Sequence, residues 1–189
     1  MNLYINQENF KGINYSVTPI KKGEYVECTF TDCNFSEVHV SNIVFEECRF
    51  INCNFSNAFV KNTSFKTVQF ESCKLLGVKF NECNPFLLSF QFTDCQLDFS
   101  NFYQLQLQNT VFKNCNLEEV DFTETNLLKA VFEQCNLKST VFEDTNLEKA
   151  DFRTAYNFVI NPKKNTITKA KFSLLNVSGL LADFNIVIE

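Results

Sequence analysis

Cys33, Cys53 and Cys73 are spaced twenty residues apart, and Cys95, Cys115 and Cys135 repeat the step after a two-residue slip near Pro85. Two residues beyond each stands Phe35, Phe55, Leu75, Leu97, Leu117 or Leu137. A period of five is thus nested in a period of twenty, the pattern of a coil with four similar sides. Internal repeats of this kind fix the architecture ahead of local propensity. They also leave few places to assemble an active site.

The large apolar residue of each five is its centre. Centres run Tyr25, Phe30, Phe35, Val40, Phe45, Phe50, Phe55, Val60, Phe65, Phe70, Leu75 and Phe80, then resume at Leu87, Phe92, Leu97 and Phe102, continuing to Phe152. Two residues before each centre lies a small slot, which holds all nine cysteines and, elsewhere, Ala58, Thr63, Thr110, Thr125, Ala130, Thr140 and Ala150. The other three positions are mostly polar. Five matches neither the 3.6-residue helix nor the long alternating strand. Two inward residues with one outward residue between them make a minimal strand, and the rest must turn a corner. Four corners close a coil that stacks on the next at about 4.8 Å, so some seven coils give a rod on the order of 35 Å long.

The composition agrees with one slot filled many times by one residue type: twenty-three Phe, no Trp, one Met and four Gly. A formal charge of −5 lacks the basic footprint of a nucleic-acid binder, so no direct nucleic-acid contact is expected. No apolar run is long enough for a membrane span. The opening MNLYINQENFKG has no basic and apolar export signal, so a cytoplasmic protein with free thiols is expected. Cys28, Cys33, Cys48 and Cys53 can be drawn as a four-thiolate zinc site, but their spacing is not that of a zinc knuckle, and the inward ladder accounts for them without metal. His39, the single histidine, precedes a centre and points outward, away from any Cys or Ser partner. No glycine-rich phosphate loop exists. No enzyme activity, cofactor or metal is expected.

The units CNFSE (33–37), CNFSN (53–57), CNLEE (115–119), CNLKS (135–139), TNLEK (145–149) and ADFRT (150–154) resemble the pentapeptide repeat family, whose consensus is Ala/Cys–Asp/Asn–Leu/Phe–X–X. The resemblance implies an all-β fold, a right-handed quadrilateral β-helix with a short C-terminal helix and strand cap. Three segments are expected: a degenerate N-terminal coil over 1–24, in which Phe10, Tyr15 and Ile20 keep the phase; the repeat helix over 25–154; and a cap over 155–189. Beyond Arg153 the repeat fades, 157–165 reads as a loop, 166–172 as one strand, 173–184 as a helix and 185–189 as a last strand. A solenoid needs such caps because its end coils expose core and backbone.

Function must lie on outward residues. From Glu118 to Asp151 nine acids face three lysines, a charge of −6. Glu118, Glu119, Asp121, Glu124, Glu143 and Asp144 are expected on one edge, as a solvated face or as a strip that meets a basic groove. Phe59, Leu76, Phe99 and Tyr103 fall beside it, either as a contact site or as a patch covered by the N-terminal segment. The tail residues Leu174, Leu175, Leu180, Leu181, Phe184, Ile186 and Ile188 exceed what capping one coil needs, so a homodimer through the C-terminus is expected. The phrases Cys28–Phe35 and Cys48–Phe55, and the capped rod, are similar to the quinolone-resistance type of this family. That similarity implies a dimeric duplex-DNA mimic that binds DNA gyrase or topoisomerase IV. The alternative is a general protein-binding scaffold that uses the acidic and apolar edge and has no topoisomerase role.

Overall fold

Each five-residue unit commits two side chains inward and one backbone bend outward, and repetition stacks like on like. In the computed structural model, which describes residues 3–184, 186 and 187, this stacking builds a parallel β-solenoid. β1 (Leu3–Asn6), β3 (Gly23–Val26), β5 (Val44–Glu46) and β7 (Ser64–Lys66) form a four-stranded sheet on one side. A second side is a seven-stranded sheet of β2 (Asn9–Lys11), β4 (Thr29–Thr31), β6 (Arg49–Ile51), β8 (Val68–Glu71), β9 (Phe90–Thr93), β10 (Val111–Lys113) and β11 (Val131–Glu133). Every pairing is parallel, with Phe30 opposite Phe50, Phe50 opposite Phe70 and Phe92 opposite Phe112. The remaining two sides are joined by single residue pairs, such as Asn34 with Asn54 and Asn101 with Asp121.

The core is a set of columns. Phe10, Phe30, Phe50, Phe70, Phe92, Phe112, Phe132, Phe152 and Phe172 stack with near-parallel rings. Within that column Phe112 and Phe132 are 5.0 Å apart, inside the range aromatic pairs favour. All nine cysteines are buried. The inward slots at Thr63, Thr110, Thr125 and Thr140 are buried too. The hydroxyls of Thr63, Thr125 and Thr140 donate to carbonyls one coil back, as Thr63 Oγ1 does to Val40 O at 2.8 Å, which is why threonine fits an apolar column. The phase kept by Phe10, Tyr15 and Ile20 is real, for β2 pairs with β4 and Tyr15 and Ile20 are buried.

The corners place a residue two beyond most centres in the left-handed region. Among the described residues twenty-six non-glycine residues do so, with φ from 51° to 62°. That conformation is uncommon for a residue with a Cβ and easiest for Asn and Asp. It is held by the ladder, in which Glu37 N–H donates to Ser56 O at 3.0 Å and Asn57 N–H to Leu76 O at 2.8 Å. The Asn or Asp before the centre adds an Asx turn, as Asn54 Oδ1 accepts from Ser56 N–H at 3.0 Å. This explains the Asp/Asn of the repeat.

The structure corrects the sequence at both irregular places. Leu87 is no centre: it is 63% exposed at a left-handed φ of 57°, and Phe86 beside it is 67% exposed. The unit 84–88 bulges out, because Pro85 would occupy the next strand position of the four-stranded sheet and has no N–H to give. That sheet ends at β7. Phe90, which stands in a slot meant for a small residue, fills the vacated space instead, 5.4 Å from Phe65 and 5.2 Å from Phe80. The seven-stranded sheet passes through unbroken, with Phe70 opposite Phe92.

Past Arg153 the coil continues rather than dissolving. Asn136 pairs with Tyr156, Asn146 with Thr166 and Asp151 with Lys171, so 166–172 is part of a further coil made by single pairs and not a strand. Ala155, Phe158 and Ile160, within or next to the expected loop, are buried. The expected helix is two short 3-10 turns, Val177–Leu180 and Ala182–Phe184. Gly179 lies so close to Phe158 that a Cβ would collide with its carbonyl oxygen and ring, and Gly179 O accepts from Ile160 N–H at 3.0 Å. This close docking fixes the backbone of the cap. Ile186 and Val187 lie in no strand, while Asn185, Ile188 and Glu189 fall outside the described residues.

Candidate partner-binding surface

The thiols are the most reactive groups by type, and all nine are buried. Cys53 Sγ donates to Phe30 O at 3.4 Å and Cys73 Sγ to Phe50 O at 3.3 Å, a pattern repeated by Cys135 to Phe112 O at 3.3 Å. Burial pushes the Cys48 thiol from 9.0 up to about 12, and raises Cys33 and Cys83 as well. In the column Cys73 and Cys115 are the members whose neighbouring thiols most favour a thiolate. Among the described residues no group of three or more His, Cys, Asp or Glu is placed to hold a metal ion.

A raised thiol pKa keeps the native protein protonated where the unfolded chain would ionise. That stabilisation is complete below pH 9 and is lost as pH rises from 9 toward 12. Thermal melts are therefore expected to fall steeply over that window, and labelling of native protein at pH 8 to be far slower than labelling in denaturant. Mass measurement after denaturing alkylation without reductant should show nine labels. Fewer labels, or rapid native labelling of Cys48, would contradict the inward column.

The acidic residues occupy two adjoining sides, not one edge. Glu118 follows the centre Leu117 and Glu119 turns the corner, while Asp121 and Glu124 flank Phe122 on the next side, with Glu143 and Asp144 one coil on beside Phe142. Corner residues Glu119, Glu124 and Asp144 are exposed with φ of 56°, 54° and 52°. Glu124 N–H donates to Glu143 O at 2.8 Å, so the corners of Glu124 and Asp144 stack, while Glu119 N–H donates to Lys138 O at 3.0 Å at the preceding corner. Part of the charge is already paired: Lys138 Nζ reaches Glu118 Oε1 at 2.6 Å and Lys164 Nζ reaches Glu143 Oε1 at 2.8 Å. Such exposed pairs stabilise little. Asp121 accepts from Asn101 Nδ2 at 3.0 Å, and Glu124 accepts from Tyr103 Oη at 3.1 Å and Gln104 Nε2 at 2.8 Å. Burial, with Glu118 near, raises the Asp98 carboxyl above its ordinary value.

The apolar residues gather where these two sides meet. Phe59 is 48% exposed and stacks on His39 with ring centroids 4.2 Å apart. Phe99 turns a corner at φ 62° and is 60% exposed, with Leu76 and Tyr103 half-buried nearby in the coil. The N-terminal segment does not cover them, because it is itself the first coil. At the C-terminal end Leu180 packs on the core and Leu181 is half-buried, whereas Leu174 and Leu175 are 93% and 97% exposed. Phe184 and Ile186 are about half-exposed. Sequence reasoning missed the exposed Phe86 and Val159. The proline beside the slip was the available signal for the first.

A family model for the pentapeptide repeat region matches residues 24–90 and 86–156. The chain belongs to the pentapeptide repeat family. No curated protein sequence matches it. Among solved structures it is similar to two trypsin-treated variants of QnrB1, a plasmid-mediated fluoroquinolone resistance protein. The first has 16% identity and a TM-score of 0.64, covering 100% of this chain and 99% of that one. The second has 16% identity and a TM-score of 0.55, covering 100% of both chains. At that identity the likeness is one of fold. No helix among the described residues of this pentapeptide repeat protein is long and apolar enough to cross a membrane.

Proposed function

We propose that this protein is a non-enzymatic interaction protein that binds a type II topoisomerase, DNA gyrase or topoisomerase IV, as a mimic of duplex DNA. The observation that carries the reading is the end-to-end fold likeness to a fluoroquinolone resistance protein, over 100% of this chain and 99% of that one. Glu119, Glu124 and Asp144, exposed at corners of which those of Glu124 and Asp144 stack, would meet the basic groove that normally holds DNA phosphates. Phe59 and Phe99 would supply apolar contacts beside them. The exposed tail around Leu174 and Leu175 would join two rods across a two-fold axis and set the two acidic strips symmetrically. A second reading, a scaffold for some other protein, is favoured by the lysines that pair with Glu118 and Glu143 and thin the negative field.

The test is gyrase supercoiling with and without a fluoroquinolone. The protein at micromolar concentration is expected to restore supercoiling in the presence of drug. A variant with Glu119→Lys, Glu124→Lys and Asp144→Lys should need at least tenfold more protein, about 1.4 kcal/mol of lost binding. The fold should tolerate it, since Lys129, Lys149 and Lys169 already occupy left-handed corners. No effect of the parent protein on gyrase, bound or drug-inhibited, would leave the scaffold reading in its place.

A further inference from the structure

On the side that carries Val40, Val60, Phe80, Phe102 and Phe122, the ladder between coils is regular except around Phe80, where Asn81 N–H takes Asn101 O at 3.1 Å in place of Phe80 N–H and the step from Val60 is broken. Val40 N–H donates to Phe59 O at 3.0 Å and Phe59 N–H to Val38 O at 2.9 Å. Two coils on, Asn101 N–H donates to Val78 O at 3.0 Å and Phe102 N–H to Asp121 O at 2.8 Å. The same pattern calls for Val60 N–H to reach Lys79 O and for Lys79 N–H to reach Ala58 O. Neither bond forms. His39 pairs with Phe59 and Lys79 with Asn101, but Phe59 and Lys79 do not pair.

The cause is local. Phe80–Glu82 winds into a 3-10 turn, in which Lys79 O accepts from Glu82 N–H at 3.1 Å and so is turned from its ladder partner. The coil then runs one residue out of step, with Asn62 N–H donating to Glu82 O at 2.9 Å where the regular offset would use residue 81. Among the described residues, Val60 N–H and Lys79 N–H are left without an acceptor and Ala58 O without a donor. Val60 and Ala58 are 1% and 5% exposed, and unpaired backbone groups at buried residues are rare in folded proteins. These groups front a recess of about 290 Å³ walled by Phe59, Gly77, Lys79 and Glu82.

We propose that this recess is a docking point for a peptide segment of a protein partner. An amide group, from the partner's backbone or from an Asn or Gln side chain, would accept from both Val60 N–H and Lys79 N–H and donate to Ala58 O. The donor set selects this chemistry. A bare anion would meet the Ala58 carbonyl and the Glu82 carboxylate, and a bare cation would meet two N–H groups and the Lys79 ammonium. A group that both donates and accepts satisfies both signs, and of such groups a peptide amide also carries a side chain to the neighbouring Phe59 ring. The Phe59 ring, braced by His39, offers a platform for an apolar or aromatic side chain next to that amide. The recess continues the apolar patch of Phe59 and Leu76, so the inference rests on reading that edge as a partner surface and names the contact it would make.

The probe is N-acetyl-L-phenylalaninamide, titrated into the full ¹⁵N-labelled chain. The Val60 and Lys79 amide resonances are expected to move together and saturate with a dissociation constant on the order of 1–10 mM. Lys79→Pro removes an N–H that bonds to nothing in the fold, at a φ of −91° near the proline range, so its unfolding midpoint should stay close to the parent's while probe affinity falls at least fivefold. Asn101→Pro, which deletes the bond to Val78 O, should instead lower the midpoint. Probe binding that leaves Val60 and Lys79 unmoved, no binding at all, or equal binding by the Lys79→Pro protein would overturn the proposal. Hydrogen exchange in the gyrase complex separates it from the proposed function. Protection of residues 57–82 supports both, while gyrase binding without it sinks the recess alone. Probe binding without gyrase binding sinks the topoisomerase reading alone.

Discussion

Replacing Phe112 with alanine is expected to destabilise the protein by about 3–5 kcal/mol, the range for deleting a buried phenyl ring. Phe112 is fully buried, with Phe92 at 5.2 Å on one face and Phe132 at 5.0 Å on the other. Phe122 meets it edge-on at 5.8 Å. The cost should sit high in the range, because the walls cannot collapse into the hole. Coil spacing is set by the parallel ladder, with Val111 opposite Val131 and Lys113 opposite Glu133, and not by the ring itself. Phe86→Ala, at a ring 67% exposed, is the control and should change stability by less than about 0.5 kcal/mol. Urea unfolding followed by circular dichroism reads both. A Phe112→Ala loss under about 1 kcal/mol would deny that the stacked column carries the fold.

The second large effect is expected at the tail. Changing Leu174 and Leu175 together to aspartate should turn the proposed dimer into a folded monomer, with a rise in dissociation constant of at least a hundredfold, about 2.7 kcal/mol. Both leucines are more than nine-tenths exposed and touch nothing that holds the solenoid together. Their replacement therefore reports on association and not on folding. Leu180 and Leu181 are poor choices for the same test, since Leu180 packs on the core and Leu181 is half-buried. Sedimentation velocity at tens of micromolar, a concentration at which a weak dimer still forms, reads the outcome. A monomeric parent protein would remove the dimer, and with it the symmetric duplex mimic.

What was legible in the sequence follows from where the repeat is strict. Phe30, Phe50 and Phe70, or Cys95, Cys115 and Cys135, recur because each side chain packs on its own kind one coil away, so a twenty-residue step in sequence is a contact in space. The left-handed corners were less visible, since Glu, Lys and Phe99 occupy them as well as Asn and Asp. A ladder bond holds most corners whatever their side chain, which erases the usual glycine signal.

Sequence by itself therefore determined the coil, its four sides, the inward columns of Phe and Cys, and the place where the period slips. Only the tertiary structure decided how the irregular places resolve. It put Leu87 outside and Phe90 inside, because Pro85 cannot join the sheet while a vacated core must be filled. It made the tail two 3-10 turns instead of a helix, because Gly179 docks directly on Phe158. It split the acidic residues over two sides and paired two of them with lysines one coil away. It also opened the ladder at Val60 and Lys79, where one extra residue of turn in 80–82 takes a carbonyl from its partner. A repeat encodes contacts between equivalent positions. Where equivalence fails, the outcome depends on competition among non-equivalent neighbours, which only the folded arrangement brings together.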